Sequence, residues 1–504
     1  MKTICKALSL SLAAAMLFGC TAEKIPLPVL SIETKSKDKD VMKFVEEPVA
    51  EHVSNVIKDF SAPVPYYEDC LISVTDSDGK AQLAAADAQV KVRGNWTTLY
   101  PKKPLRIKFA EKQNLIGLNE GAEFKNWLLL AEYKDCSMLR NKATLYAARH
   151  ILGADGLYAA DADFVQVEIN GEYMGLYLLT EMQQGAKKRV NVTKPEEGYT
   201  GTDIGYFLEF DGYFENEDEL HKFSIDYADN APLTPYDGKG GSGKSIRCLG
   251  RDYSNLAKEI GFTIKSDIYS QKQHDFIANY INNVYRIMYE AAYNHKAYVF
   301  DNKNETISEN SDITPQQAVE KVVDVDSLVD MYIISELASD ADVTWSSFYM
   351  DIDFSPEHPK RLTFEAPWDF DSSMGNRPRC EDGQGFYTSN IVPDPDTEND
   401  SINPWFVLLA YEDWYQEMIK EKWTKAYDNG VFARVCQMVE SDKEVLVEEF
   451  EKNYKKWHNN TDKEYFIFEL SAAETDTRTE QESAEYVLEW QHSRIDFLNS
   501  QWHK

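Results

Sequence analysis

The most informative stretch of this chain is Arg93-Gly-Asn-Trp-Thr-Thr-Leu-Tyr-Pro-Lys-Lys-Pro-Leu-Arg-Ile-Lys-Phe109. Its last five residues alternate apolar and basic side chains, which is typical of a strand with one buried face. A glycine beside a strand end lets a ligand approach the backbone closely. Arg106 and Lys108 are two residues apart, so in a strand their cations share a face and repel. A bound polyphosphate would relieve that repulsion, and a solvated basic edge strand is the alternative reading.

The segments around this stretch predict a strand-rich first part and a helix-rich second part. Strands are predicted over residues 27–32, 69–74, 88–92, 105–109 and 127–131, with a helix over 137–152. Asn170-Gly171 between alternating runs at 164–169 and 173–179 predicts a hairpin. Later helices are predicted over 271–298, 314–338, 405–457 and 480–502. The expected fold class is α+β with two lobes, a strand-rich N-lobe at 27–185 and a helix-rich C-lobe at 186–504. Insertions are expected in the C-lobe at about 226–252 and 377–402.

The N-terminus has the layout of an export signal. Lys2 and Lys6 precede an apolar run over residues 7–18, which is too short to span a bilayer. The run ends in Gly19-Cys20, which resembles the site of bacterial lipoproteins where the cysteine is lipidated. Residues 1–19 are therefore predicted to be a lipoprotein signal peptide and 20–26 a tether, with plain secretion as the alternative. The predicted location is the cell envelope, as an outer-membrane lipoprotein on either face.

Composition excludes some functions. The chain carries 85 acidic and 53 basic residues, a net charge of −32, so its surface repels nucleic-acid phosphates. Aromatic residues make up 12% of the chain, which favours a folded globule over a disordered acidic chain. No CxxC pair exists, so the cysteines predict buried free thiols and no zinc knuckle.

Two aspartate pairs end apolar segments. They are Asp340-Ala-Asp342, after a helical run, and Asp369-Phe-Asp371, after a strand-like run. Carboxylates in such positions hold Mg²⁺ together with substrate phosphates. The pairs could converge on one ion, or each could cap its own loop.

The motifs taken together resemble those of the CotH kinase family. The matching motifs, in the family's order, are Arg93-Gly-Asn, Pro101-Lys-Lys-Pro-Leu-Arg-Ile-Lys-Phe109, Asn126-Trp-Leu-Leu-Leu-Ala131, Leu139-Arg-Asn141, Asn170-Gly-Glu-Tyr-Met-Gly-Leu-Tyr-Leu-Leu-Thr-Glu181, Asp342, Trp368-Asp-Phe-Asp371, Gly375-Asn376 and Leu488-Glu-Trp490 with Arg494-Ile-Asp-Phe-Leu-Asn-Ser-Gln501. The resemblance implies a protein-kinase-like fold whose N-lobe carries one main helix. It also implies phosphorylation of proteins with ATP and Mg²⁺ or Mn²⁺.

The resemblance also assigns roles. Asp342 takes the place of the catalytic aspartate that orients or deprotonates the acceptor hydroxyl. Asp369 takes the place of the metal-binding aspartate, and Asp371 and Ser347 are the further metal candidates. Ser347 stands where the family usually has an asparagine, and Asp340 is also a departure from the family's asparagine. A serine is a weaker Mg²⁺ ligand, so Asp340 or Asp371 would have to compensate.

Basic residues and one acid are the candidates for nucleotide binding. The resemblance implies phosphate contacts from the Arg93 motif and adenine near the segment that ends at Glu181. The candidates for phosphate binding are Arg93, Lys103, Arg106 and Lys108. The separate stretch Gly238-Lys-Gly-Gly-Ser-Gly-Lys-Ser245 fits the Walker A pattern but lacks the preceding buried strand and the following helix. It is therefore interpreted as a glycine-rich loop.

Two functions follow from this interpretation. The first is an exported kinase that phosphorylates a secreted or surface protein. The alternative is a catalytically weak, pseudokinase-like surface lipoprotein that binds a protein or glycan partner. The retained Asp342 and Asp369 favour the enzyme, whereas Ser347 and a compartment poor in ATP favour the binding protein.

Overall fold

The computed structural model describes residues 27–36, 42–225, 233–236, 238, 260–340, 342–390, 392–394, 399–459 and 470–504. The signal peptide and Cys20 therefore lie outside the described residues. So do most of the Walker-like stretch, Cys248 and parts of the two expected insertions.

The first seven strands close into a barrel. They are β1 (Val29–Thr34), β2 (Glu68–Thr75), β3 (Ala81–Val92), β4 (Leu105–Gln113), β5 (Phe124–Leu130), β6 (Ala162–Ile169) and β7 (Glu172–Glu181). The order around the barrel is β1-β2-β3-β4-β5-β7-β6. Strand β1 closes it by pairing antiparallel with β2, where Leu30 faces Val74, and parallel with β6, where Leu30 faces Val167. The interior is apolar, with Ile72, Ile107 and Trp127 among its buried side chains.

The expected two-lobed, protein-kinase-like fold with a strand-rich N-lobe and one main helix is wrong. The N-terminal region is a closed seven-stranded barrel, followed by a helical C-terminal region. Residues 27–32 already predicted a strand, but its parallel partner β6 lies far along the chain. Local periodicity carries no information on such a pairing, so barrel closure could not be read from the pattern.

Four helices accompany the barrel. They are α1 (Lys43–Glu46), α2 (Glu51–Ile57), α3 (Leu118–Gly121) and α4 (Arg140–Ile151). The predicted helix over 137–152 is confirmed as α4, whose first turn begins later than expected because residues 135–139 form a turn held by the Asp135 carboxylate. The predicted hairpin is also confirmed, since β6 and β7 pair antiparallel across Asn170-Gly171. Both turn residues have positive φ, which the Asn-Gly pair tolerates.

The second region surrounds a five-stranded sheet with helices. Its strands are β8 (Gly205–Asp211), β9 (Lys222–Phe223), β10 (Gly261–Ile264), β13 (Phe348–Asp353) and β14 (Thr363–Phe364), in the order β14-β13-β8-β10-β9. Two small hairpins are β11 (Tyr298–Phe300) with β12 (Ile307–Glu309), and β15 (Val392–Asp394) with β16 (Asn399–Ser401). The helices are α5 (Gln271–Asn294), α6 (Pro315–Val322), α7 (Val325–Ala338), α8 (Pro404–Val407), α9 (Asp413–Asp428), α10 (Val431–Val445), α11 (Val447–Trp457), α12 (Ala472–Asp476) and α13 (Glu480–Trp502).

One apolar core joins the two regions. Leu128 and Leu176, on the outside of the barrel, belong to the same buried cluster as Phe210 of β8 and Leu328 of α7. Burial of apolar surface stabilises a folded protein by roughly 25 cal/mol per Å². The shared apolar cluster therefore holds the barrel and the second region together. The two aspartate pairs lie after the end of α7 and in the turn after β14, in the second region.

Two further sequence expectations concern cysteines and membrane spans. Cys70, Cys136, Cys380 and Cys436 are buried thiols that form no disulfide among the described residues, as predicted. Of the helices in the described ranges, none combines the length and apolar character needed to cross a bilayer.

Candidate functional site

Three carboxylates from two separate segments meet at one point. Asp342 follows the end of α7, and Asp369 and Asp371 lie in the turn after β14. One carboxylate oxygen of each lies within 4.8 Å of the others. Burial, followed by the charges of Asp371 and Asp342, raises the pKa of Asp369, although Lys134 and Arg93 oppose the shift. Such crowding of anions is unfavourable unless a cation is bound among them.

The local backbone forces the two acids of the turn inward. Asp369 has a φ of +71°, in the left-handed region that a residue with a Cβ rarely adopts. Asn141 of α4 accepts a hydrogen bond from the Phe370 N–H at 2.8 Å, and the Asn376 side chain donates to the Asp371 carbonyl at 2.5 Å. The turn is therefore held from both sides, and strain of about 1–3 kcal/mol persists because these contacts over-determine it.

Asp340 supports the site from behind. Its Oδ1 accepts hydrogen bonds from the N–H groups of Asp342 and Val343, at 3.1 and 3.3 Å. Burial and then the charge of Asp342 raise the pKa of Asp340 well above its usual range. This carboxyl orders the turn that carries Asp342.

Basic side chains border the three acids. Lys134 Nζ lies 3.6 Å from Asp371 Oδ1 and donates to Ser372 Oγ at 2.6 Å. Arg379 Nη2 lies 3.6 Å from Asp342 Oδ1. Arg93 lies over the ring of Trp368, 5.9 Å from its centroid. Sequence reasoning missed Lys134 and Arg379. Lys134 could have been noticed, because it lies three residues after the Asn126–Ala131 motif, whereas Arg379 has no such signal.

The cations that were expected to bind phosphate have different surroundings. Lys103 is buried, and its Nζ donates to the Pro48 carbonyl at 3.1 Å and to the Thr98 carbonyl. Burial lowers the pKa of Lys103 to about 8. Lys108 is exposed, 5.9 Å from the ring centroid of Tyr67. Of the four predicted phosphate ligands, only Arg93 and Arg106 therefore line the main cavity between the barrel and the second region.

That cavity has a volume of about 390 Å³. Such a volume falls within the range of small-molecule and cofactor sites. We call it the main cleft; residues that line it include Lys91, Arg93 and Arg106 from the barrel side and Lys265 and Tyr349 from the second region. Arg93 and Trp368 also line a smaller space of about 30 Å³, which contacts Asp369 and Asp371. Because Arg93 and Trp368 line both spaces, Arg93 lies between the main cleft and the carboxylates of Asp369 and Asp371.

Glu181 and Ser347 lie at the edges of this arrangement. The Glu181 carboxylate is fully buried and accepts hydrogen bonds from Asn119, Arg189 and the Asp161 N–H. The next two residues, Met182 and Gln183, line the main cleft in its place. Ser347 directly precedes β13 with a φ of +62°, and its N–H donates to Glu209 at 3.2 Å.

Oxygen ligands at this spacing suit a hard divalent cation such as Mg²⁺, which prefers carboxylates and phosphates. The three acids could hold such a cation, and the neighbouring cleft carries basic side chains that a phosphate could contact. The model of the CotH kinase protein family matches residues 90–498, and the chain belongs to this family. No curated protein matches the chain.

Proposed function

We propose that the protein is a kinase that transfers the γ-phosphoryl group of ATP to a hydroxyl group of a secreted or surface protein. The observation that carries the proposal is the meeting of Asp342, Asp369 and Asp371 at one point. Arg93 lines both the small space that contacts Asp369 and Asp371 and the main cleft beside it. Membership of the CotH family supports this chemistry. The export pattern of residues 1–20 supports a secreted or surface acceptor.

Asp369 and Asp371 would hold Mg²⁺ or Mn²⁺, with Asp342 close enough to share it. When bound, the metal neutralises charge on the phosphate oxygens. Arg93 lies between the acids and the main cleft, so its guanidinium is placed to bind the terminal phosphates of a nucleotide in that cleft. Lys134 balances Asp371 and keeps it in position.

The proposed transfer is one displacement. The acceptor oxygen bonds to the γ-phosphorus, the bond from that phosphorus to the β,γ-bridging oxygen breaks, and ADP leaves. The hydroxyl proton passes to the Asp342 carboxylate. Arg379, near Asp342, keeps this carboxylate oriented towards the acceptor.

The test is incubation of the purified protein with γ-labelled ATP and either Mg²⁺ or Mn²⁺. Labelled protein is expected in the native chain, and labelling should fall at least about a hundredfold in Asp342→Asn and in Asp369→Asn. Asp496→Asn is the matched control, because that residue is exposed on α13 and lines a different cavity, to which none of the three acids contributes. Equal labelling in all four proteins would refute the assignment.

A binding protein is the second candidate, favoured by one observation. Ser347 replaces the usual amide ligand and its N–H is engaged with Glu209. Nucleotide binding without labelling of any protein, including itself, would select this candidate over the kinase.

A further inference from the structure

A second cavity adjoins the main cleft on the side away from the acids. Its volume is about 270 Å³. Arg106, Met182 and Lys265 line both cavities, so they lie where the two meet. Within the described part of the chain, the lining of this second cavity includes none of the three aspartates. We call Arg106 and Lys265 the cation junction.

Arg106 is fixed at the junction by its neighbour on β5. Its Nε and Nη2 donate to Asn126 Oδ1 at 3.2 and 2.8 Å, and within the described ranges Nη1 keeps its hydrogens for a ligand. Lys91 of β3 lies directly opposite Arg106 in the strand register. Burial and then the charge of Arg106 lower the pKa of Lys91. Like charges facing each other across a strand pair are destabilising, so this wall is strained unless an anion is bound.

Lys265 approaches from the other wall, directly after β10. Its Nζ lies 2.8 Å from Glu209 Oε2, and 32% of the side chain is exposed. Burial alone would lower the pKa of Lys265, but the carboxylate of Glu209, aided by Asp211 and Glu217, outweighs burial and raises it. Lys265 is therefore a permanent cation that faces the cavity, held in place by one acid.

Polar side chains make up much of the remaining lining of the second cavity, which also includes one acid, Asp267, and the apolar residues Val192 and Pro195. The polar and basic side chains are Asn126, Gln184, Thr193, Lys194 and Ser266. The Ser266 hydroxyl accepts a hydrogen bond from the Phe207 N–H at 3.1 Å, so its own O–H is available to donate. Hydroxyl, amide and cationic donors around one space are the partners that phosphate oxygens accept from.

We propose that the cation junction binds a phosphate group of an organic phosphate at a site separate from the three aspartates. Arg106 belongs to the barrel and Lys265 to the sheet of the second region, so the bound phosphate joins the two walls of the cleft. The phosphate belongs either to the nucleotide itself or to a second phosphorylated molecule. The inference rests on the proposed function only for the first of these sources.

The experiment is calorimetric titration of inorganic pyrophosphate into the whole protein at low ionic strength with EDTA present. The native chain should bind, and Arg106→Gln should weaken binding about tenfold or more. The double variant Lys265→Met with Glu209→Gln should do the same, because it removes the ammonium without leaving its carboxylate unpaired. Lys112→Met, an exposed cation on β4, is the matched control and should bind like the native chain.

Two more variants keep the test independent of folding and of the kinase assignment. Lys265→Arg retains the charge and should retain binding, and melting curves show which variants fold. Asp369→Asn should bind pyrophosphate like the native chain, because no metal is present. Loss of binding in Asp369→Asn, or equal binding in the native chain and both junction variants, would overturn the proposal. Absence of labelling from ATP, with pyrophosphate binding intact, would refute only the proposed function.

Repeating the titration with saturating Mg²⁺ and a non-hydrolysable ATP analogue distinguishes the two sources. If the analogue abolishes pyrophosphate binding, the junction takes the nucleotide's own phosphate. If both bind together, the junction takes a second phosphorylated ligand. Either outcome supports the site, since both require Arg106 and Lys265.

Discussion

Replacing Asp369 with asparagine should change stability in opposite directions with and without metal. The Asp369 carboxylate lies within 4.8 Å of oxygens of Asp342 and Asp371. At an effective dielectric constant of about 20, each such pair of charges repels by roughly 3 kcal/mol or more. Lys134 and Arg93 offset part of this repulsion. We therefore expect Asp369→Asn to stabilise the metal-free protein at pH 8 by about 1–2 kcal/mol.

Added Mg²⁺ should make the native chain more stable than Asp369→Asn. A ligand present at a hundred times its Kd stabilises the protein that binds it by about 2.7 kcal/mol. The native chain should gain this amount, whereas Asp369→Asn, which lacks a principal ligand, should gain little. For a chain of this length about 1 kcal/mol corresponds to roughly 1 °C in Tm. Asp369→Asn should thus melt about 1–2 °C above the native chain in EDTA and below it in saturating Mg²⁺.

The assay is differential scanning calorimetry of the native chain, Asp369→Asn and the exposed control Asp496→Asn, each in EDTA and in Mg²⁺. The control should follow the native chain in both buffers. A lower Tm for Asp369→Asn in EDTA would show that the carboxylate makes a net favourable contact in the free protein. An equal Mg²⁺ response in all three proteins would show that the acids do not form a metal site.

Three further predictions concern stability. Lys102→Met should lower the free energy of unfolding by about 2–4 kcal/mol in urea titrations, because two buried carbonyls lose their donor; a loss below about 1 kcal/mol would contradict this. Gly175→Ala should lower the free energy of unfolding by about 2–4 kcal/mol in the same titrations, because φ is +123° and the new Cβ would lie 2.8 Å from Asn453 Oδ1. The control is Gly153→Ala, whose Cβ would meet no atom within 4 Å and which should be neutral or stabilising. Burial and the charge of Glu209 raise the pKa of Asp211 to about 7. The protonated carboxyl of Asp211 therefore adds to the free energy of unfolding below about pH 4, and this addition is lost as the pH rises through 7. Asp211→Asn should flatten the stability profile over that range, and an unchanged profile would contradict the raised pKa.

The strands and helices with strong local patterns could be predicted from the sequence. The Asn170-Gly171 hairpin and α4 were found because turn chemistry and helical spacing act over a few residues. Barrel closure was missed, since β1 pairs with β6 across most of the N-terminal region. The resemblance to a kinase fold gave no information on this pairing.

Some residues of the candidate site could be predicted from the sequence and others could not. Asp342 and Asp369 could be found, because each ends an apolar segment and each belongs to a family motif. Lys103 was a candidate because it belongs to the family motif at 101–109, but it precedes β4, where the alternation of faces does not apply, and its ammonium reaches buried carbonyls. Lys265 could not be found at all. It is a single cation after a short strand, and only the packing of the second region against the barrel brings it to the cavities that Arg106 also lines.

Two groups of like charges, one at the three acids and one on the wall of the main cleft, are unfavourable in the free protein. Three carboxylates within 4.8 Å repel, and so do Lys91 and Arg106 across their strand pair. The two groups line different spaces, since Lys91 and Arg106 line the main cleft and Asp369 and Asp371 line the smaller space beside it. Arg93 and Trp368 line both spaces. A divalent cation bound to a phosphate chain presents positive charge to the acids and negative charge to the bases. Under the proposed function, the same arrangement that destabilises the free protein would favour such a ligand, and the need to satisfy both ends at once would select it over a simple anion or a simple cation.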